Sequence, residues 1–211
     1  MLRNTHIAAG ISAALILIRP QGLLPVASTA LLATCGAVIS DIDADRSWSK
    51  KKADVIVSIS TATVAAFVMI AAVSAEPSNM IRSIGAVKII GKLAAWILAV
   101  LLCSLGMKQE HRRFMHSLAA GAMLTVYVYR VFSRQAAFAF LVGFLSHLAL
   151  DLLNHRDMQL FWPIKKGICL HACAPDGIVN KVLGTVFLVT SVLLFDVLSG
   201  IGLCRLVESL V

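Results

Sequence analysis

Long apolar runs, separated by short polar clusters, dominate the chain. The runs cover roughly residues 6–19, 22–40, 55–75, 87–106, 117–132, 136–154 and 178–200. A helix needs about 20 apolar residues to cross a hydrocarbon core. The pattern therefore predicts an all-α, polytopic transmembrane helix bundle of about seven helices. Six is the alternative if the first two runs, joined by Pro20-Gln21-Gly22, form a hairpin that does not fully cross. Residues 1–211 read as a single integral-membrane domain with a C-terminal transmembrane helix at about 178–200. The run from Ile7 to Ile18 carries no A-x-A-type cleavage site, so it is expected to be a helix of the bundle rather than a signal peptide.

Alternating crossing directions sort the polar clusters. The N-terminus, the end of the second run, the start of the fifth and the end of the sixth fall on one side. His6, Asp41, Asp43, His111, His116, His147 and Asp151 are thereby expected at one membrane face, with the 155–177 loop beside them.

Composition supports the membrane reading. Hydrophobic residues make up 59% of the chain and charged residues 14%, and mean hydropathy is +0.87. A soluble chain of this size has no way to bury so much apolar surface. Of the 19 Lys and Arg residues, Arg3, Arg46, Lys50, Lys51, Lys52, Lys108, Arg112, Arg113, Arg156, Lys165, Lys166 and Lys181 lie on the His/Asp side. Positive-inside bias then puts that side in the cytoplasm, with the protein in a bacterial or archaeal cytoplasmic membrane. The net charge of +8 reads as attraction to anionic headgroups. Nucleic acid is not an expected partner, because no basic patch is interleaved with exposed aromatics. The five cysteines suggest no disulfide framework. Cys169-Leu-His171-Ala-Cys173 lacks the second ligand pair of a zinc knuckle and is expected to be plain loop.

Imidazoles and carboxylates at helix ends are the candidate chemistry. His147 and Asp151 are four apart on a predicted helix and share a face. They suit two ligands of one ion, a ligand with its orienting carboxylate, or a buried hydrogen-bonded pair. Ionisable groups inside membrane helices are costly, which favours a functional role. Asp41-Ile42-Asp43 closes the second run, where carboxylates oppose the helix macrodipole unless a cation compensates; a solvated acidic turn is the alternative. The stretch is not an EF-hand, since Arg46 and Lys52 stand at its sixth and twelfth positions. His111 and His116 flank Arg112 and Arg113, whose forked guanidinium groups suit an anionic oxygen; a juxtamembrane basic loop touching lipid headgroups is the alternative. Imidazole with carboxylate suits zinc, with manganese or iron as alternatives.

Taken together, His6, Asp41-Ile-Asp43, His111-Arg-Arg-Phe-Met-His116-Ser117, Gly143-Phe-Leu-Ser-His147-Leu-Ala-Leu-Asp151 and Leu160-Phe-Trp162-Pro163 resemble the YdjM-like membrane-bound metal-dependent hydrolases over about residues 1–165. That family is in turn distantly similar to zinc-dependent phospholipase C. The resemblance implies a site of one to about three zinc ions. This chain departs from the family pattern at Ser40, Arg113, Met115 and Asn154, where Pro, Gly, Thr and Thr are usual. Arg113 is expected to alter its loop, because Gly reaches conformations that Arg does not.

The expected function is metal-dependent hydrolysis of a phosphate ester in a membrane lipid or lipid-linked substrate. His6, Asp41, Asp43, His111, His116, His147 and Asp151 would hold the metal, which makes water nucleophilic near neutral pH. Asp43 or Asp151 would orient the water, and Arg112 would hold an anionic substrate oxygen. The alternative is a non-enzymatic protein that binds or transports a metal ion. A transporter should place its ionisable groups near the midplane; here they gather at one end.

Overall fold

The structure, a computed structural model, describes residues 2–43, 91, 94, 97–106, 112–174 and 177–202, with the backbone alone at 42 and 43. Six helices are present among them: α1 (Arg3–Ile18), α2 (Leu23–Ile39), α3 (Ile97–Gly106), α4 (Leu118–Val131), α5 (Arg134–Leu152) and α6 (Ile178–Ser199). Short 3-10 turns follow α2 at Ser40–Asp43 and precede α4 at Phe114–His116. Strands are absent among the described residues, apart from one isolated antiparallel bridge between Met158 and Ile168. The class is all-α. The third apolar run and part of the fourth lie outside the described residues.

Local chemistry sets the helix ends. Ser117 accepts a hydrogen bond from Ala120 N at 3.1 Å, and Ser133 accepts one from Ala136 N at 3.1 Å. Each satisfies an amide left over in the first helical turn. Gly200, at φ 74°, ends α6 with its N–H on the Asp196 carbonyl, the left-handed stop that glycine takes without Cβ strain.

Two helices, α5 and α6, are long and apolar enough to cross a membrane; α1 to α4 are apolar but shorter. The expected count of about seven crossings includes the third run, which lies outside the described residues. α5 is mostly buried inside the bundle and α6 mostly exposed. Leu188, Val189, Val192, Leu193 and Val197 cover the outer face of α6.

Small residues bring α1, α2 and α5 together. A Cβ on Gly36 would fall on the Phe140 carbonyl, and one on Gly143 on the Ala33 carbonyl. A Cβ on Gly10 would meet that of Ala37 at 3.1 Å. Close backbone approach through small side chains is the packing mode open to helices in lipid, where hydrophobic exclusion no longer drives association. On the other side of α5, Phe114, Met115, Leu124, Val128, Phe140, Phe144 and Leu148 form the main apolar core. α1 and α6 run in parallel, joined by Ser12 Oγ and Ser191 Oγ at 2.8 Å, with each hydroxyl also on a backbone carbonyl of the facing helix. This packing places the start of α1, the end of α2, the start of α4 and the end of α5 at one end of the bundle.

Candidate metal centre

Four chain segments deliver five side chains to that end. His6 projects from the first turns of α1, Asp41 from the turn after α2, His116 from the turn before α4, and His147 with Asp151 from the last turns of α5. His6, His116, His147 and Asp151 are almost wholly buried, whereas the Asp41 side chain is 23% exposed and marks the mouth.

The donor atoms converge. His147 Nε2 lies 3.3 Å from His116 Nε2, and His116 Nε2 lies 3.5 Å from Asp151 Oδ2. His6 Nε2 is 3.4 Å from Asp151 Oδ1. Asp41 Oδ1 is 3.7 Å from His147 Nε2 and 3.8 Å from His116 Nε2. The His6 and His147 rings stack with centroids 4.1 Å apart. Two overlapping triads result, His6/His147/Asp151 and Asp41/His116/His147, each with its donor atoms within 4.8 Å of one another. Ligands of a tetrahedral zinc at about 2.0–2.1 Å sit roughly 3.3 Å apart, so the spacing fits a bound ion.

Hydrogen bonding adds a second test of fit. His147 Nδ1 lies 2.7 Å from the Ala37 carbonyl. A carbonyl only accepts, so Nδ1 carries the proton and Nε2 of the neutral ring presents its lone pair to the cluster. That lone pair points at another imidazole nitrogen, an arrangement a cation satisfies. A backbone carbonyl on the far nitrogen is the usual way a ligating histidine is oriented. Ala37 serves because the last carbonyls of α2 have no partner inside the helix.

Asp151 is the best-held carboxylate. Asn154 Nδ2 donates to its Oδ1 at 2.8 Å, and Arg112 Nη2 lies 3.1 Å from Oδ2. The Arg112 Nη1 also donates to the Arg156 carbonyl at 2.7 Å. Arg112, expected to await a substrate oxygen, is thus already engaged on a carboxylate of the cluster. Arg112 also carries the strained backbone, with φ 69°; Arg113, at φ −99°, lies outside the left-handed region. The positive φ of this loop thus falls at Arg112, one residue before the position where the family pattern has Gly. Asp43 closes the 3-10 turn, but its side chain, like the whole of His111, lies outside the described residues.

Two contributors escaped sequence reasoning. The Ala37 carbonyl has no side-chain signal. Asn154 was visible only as a departure from the family pattern, yet it is buried and bonded to Asp151; its place one turn beyond Asp151 was the available clue.

Apolar helices with exposed aliphatic faces, and a buried imidazole–carboxylate cluster at one end, define a helical membrane protein with a candidate metal centre. The chain belongs to the YdjM inner membrane protein family, whose model matches residues 1–208. The match runs past the residues that carry the recognised motifs and takes in α6. Comparison with curated proteins and with solved structures found no match.

Proposed function

We propose that this inner membrane protein is a metal-dependent hydrolase that cleaves a phosphate ester of a lipid or lipid-linked substrate at the cytoplasmic surface. The observation that carries the reading is the convergence of three Nε2 atoms and two carboxylates, buried except at Asp41. Zinc suits this donor set, with manganese or iron as alternatives. A bound ion supplies Lewis-acid polarisation of the phosphoryl oxygen and activation of water. His6, His116, His147 and Asp151 would hold it, and Asp41 at the mouth would hold it or orient the attacking water. Arg112, beside Asp151, would bear on the anionic oxygens of a substrate entering past Asp41. In the bundle of about seven crossings that we propose, the mouth opens at headgroup level, which favours a lipid substrate.

The runner-up is a protein that binds or moves metal without catalysis. The cluster's place at helix ends speaks against it, because transport sites lie near the midplane. Purified protein loaded with zinc is expected to hydrolyse lipid or chromogenic phosphate esters, with activity at background in Asp41→Ala and His147→Ala. Tight metal binding without hydrolysis across a broad panel of phosphate esters would favour the runner-up. No metal binding at all would leave a buried polar network.

A further inference from the structure

A second group of metal-type donors lies outside the bundle, in the segment between α5 and α6. The Met158–Ile168 bridge is closed by two hydrogen bonds, Met158 N to Ile168 O at 3.1 Å and Ile168 N to Met158 O at 3.0 Å. Beside the bridge, antiparallel register sets Asp157 opposite Cys169; beyond it the pairing shifts, with Leu170 N on the Leu152 carbonyl and Ala172 N on the Leu153 carbonyl. The side chains of both segments gather on one side of this loop. Cys169 Sγ lies 2.6 Å from Asp157 Oδ1 and 3.1 Å from His171 Nδ1. The His155 and His171 rings have centroids 5.9 Å apart.

Two backbone features support the grouping. His171 has φ 52°, a left-handed conformation that histidine adopts more readily than most residues, and it keeps the ring over Cys169. Gly167 leaves room for Asp157, since a Cβ there would meet the Asp157 Cβ at 2.6 Å. Cys173 takes no part in this group; it is buried, with its N–H on the Leu153 carbonyl. Across the ribbon Asp157 joins Cys169 and His171 in a group whose donor atoms lie within 4.8 Å of one another, and the His155 ring stands beside that of His171.

We propose that His155, Asp157, Cys169 and His171 form a second metal site, for a divalent transition ion of the zinc type. One thiolate, two imidazoles and one carboxylate make a four-ligand set that suits tetrahedral zinc. Ligands of such a site stand roughly 3.5 Å apart where sulfur is involved. The three closest donors converge more tightly than that, and small rotations of these accessible side chains open the space. The same ribbon binds Arg112 on two sides, through the Arg156 carbonyl and through Gln159 N donating to Arg112 O at 3.0 Å. An ion here would brace the loop that holds Arg112 against Asp151. The inference stands whether or not the bundle site hydrolyses anything.

Cobalt(II) tests it, because the bundle cluster has no sulfur donor. The full-length protein, purified reduced in detergent and loaded with cobalt, should show a near-ultraviolet thiolate-to-cobalt charge-transfer band. Cys169→Ser should abolish the band and lower bound metal by one ion per chain, and His155→Ala should weaken the ribbon ion's affinity at least tenfold. His147→Ala should keep the band while losing bundle metal. Absence of the band in the wild type overturns the proposal. So does a band that survives Cys169→Ser, or a metal content unchanged in both ribbon variants.

Discussion

Replacing Asn154 by Ala tests whether Asp151 is a metal ligand. Asp151 accepts hydrogen bonds from Asn154 Nδ2 at 2.8 Å and from Arg112 Nη2 at 3.1 Å, in a site where its side chain is only 4% exposed. A hydrogen bond to a charged group contributes about 1.5–3 kcal/mol. Loss of a partner that orients a ligand typically costs about 10–100-fold in metal affinity, which is roughly 1.4–2.7 kcal/mol. The two estimates agree, so Asn154→Ala should weaken zinc binding by about 10–100-fold. The metal-free fold should lose no more than about 1.5–3 kcal/mol, the worth of the bond from Asn154 Nδ2 to the buried Asp151 carboxylate, because Asn154 Oδ1 has no hydrogen-bond partner among the described residues. Asn154→Thr keeps a donor and restores the residue usual in the family, so it should recover most of the loss. His147→Ala removes a donor common to both triads and should cost more than either Asn154 variant. Competition against a chelator of known affinity, in detergent-solubilised protein, gives all four constants. Wild-type affinity in Asn154→Ala, with His147→Ala also unaffected, would refute the assignment of Asp151 and His147 as ligands.

Arg112→Ala removes a cation 3.1 Å from Asp151, so zinc affinity should hold or rise while kcat/KM for a phosphate ester falls by at least tenfold; parallel loss of both would make Arg112 a structural support only. Gly143→Ala forces a Cβ onto the Ala33 backbone, and overpacking of about 1–3 kcal/mol should lower Tm by roughly 2–12 °C. Gly91→Ala, at an exposed helical position with nothing among the described residues within 4 Å of its Cβ, should raise Tm slightly rather than lower it, which sets the sign expected without overpacking. In a cysteine-free background, Lys165→Cys should react with an impermeant thiol reagent only after the cells are permeabilised; ready labelling of intact cells would invert the proposed orientation.

Apolar run length and the polar residues between runs determined the helices. Apart from the start of α3, whose run begins in residues outside those described, the helices begin and end within about three residues of the sequence runs, because a helix in lipid must satisfy its own backbone and so ends where polar residues begin. Alternation of direction was also legible, and with it the expectation that His6, Asp41, His116, His147 and Asp151 gather at one end. What each residue does there depended on contacts between distant segments. The periodicity of α2 does not reveal that the Ala37 carbonyl fixes the proton of His147. Nor does the Arg112-Arg113 pair reveal that the guanidinium of Arg112 lies on Asp151. The ribbon shows the same limit. His155 and Asp157 are separated from Cys169 and His171 by about a dozen residues of loop, and only the Met158–Ile168 bridge and the hydrogen bonds from residues 170–173 to Leu152 and Leu153 bring them together. Sequence spacing decides which residues share a helix face or a strand face; backbone pairing and small-residue packing between segments decide which faces meet.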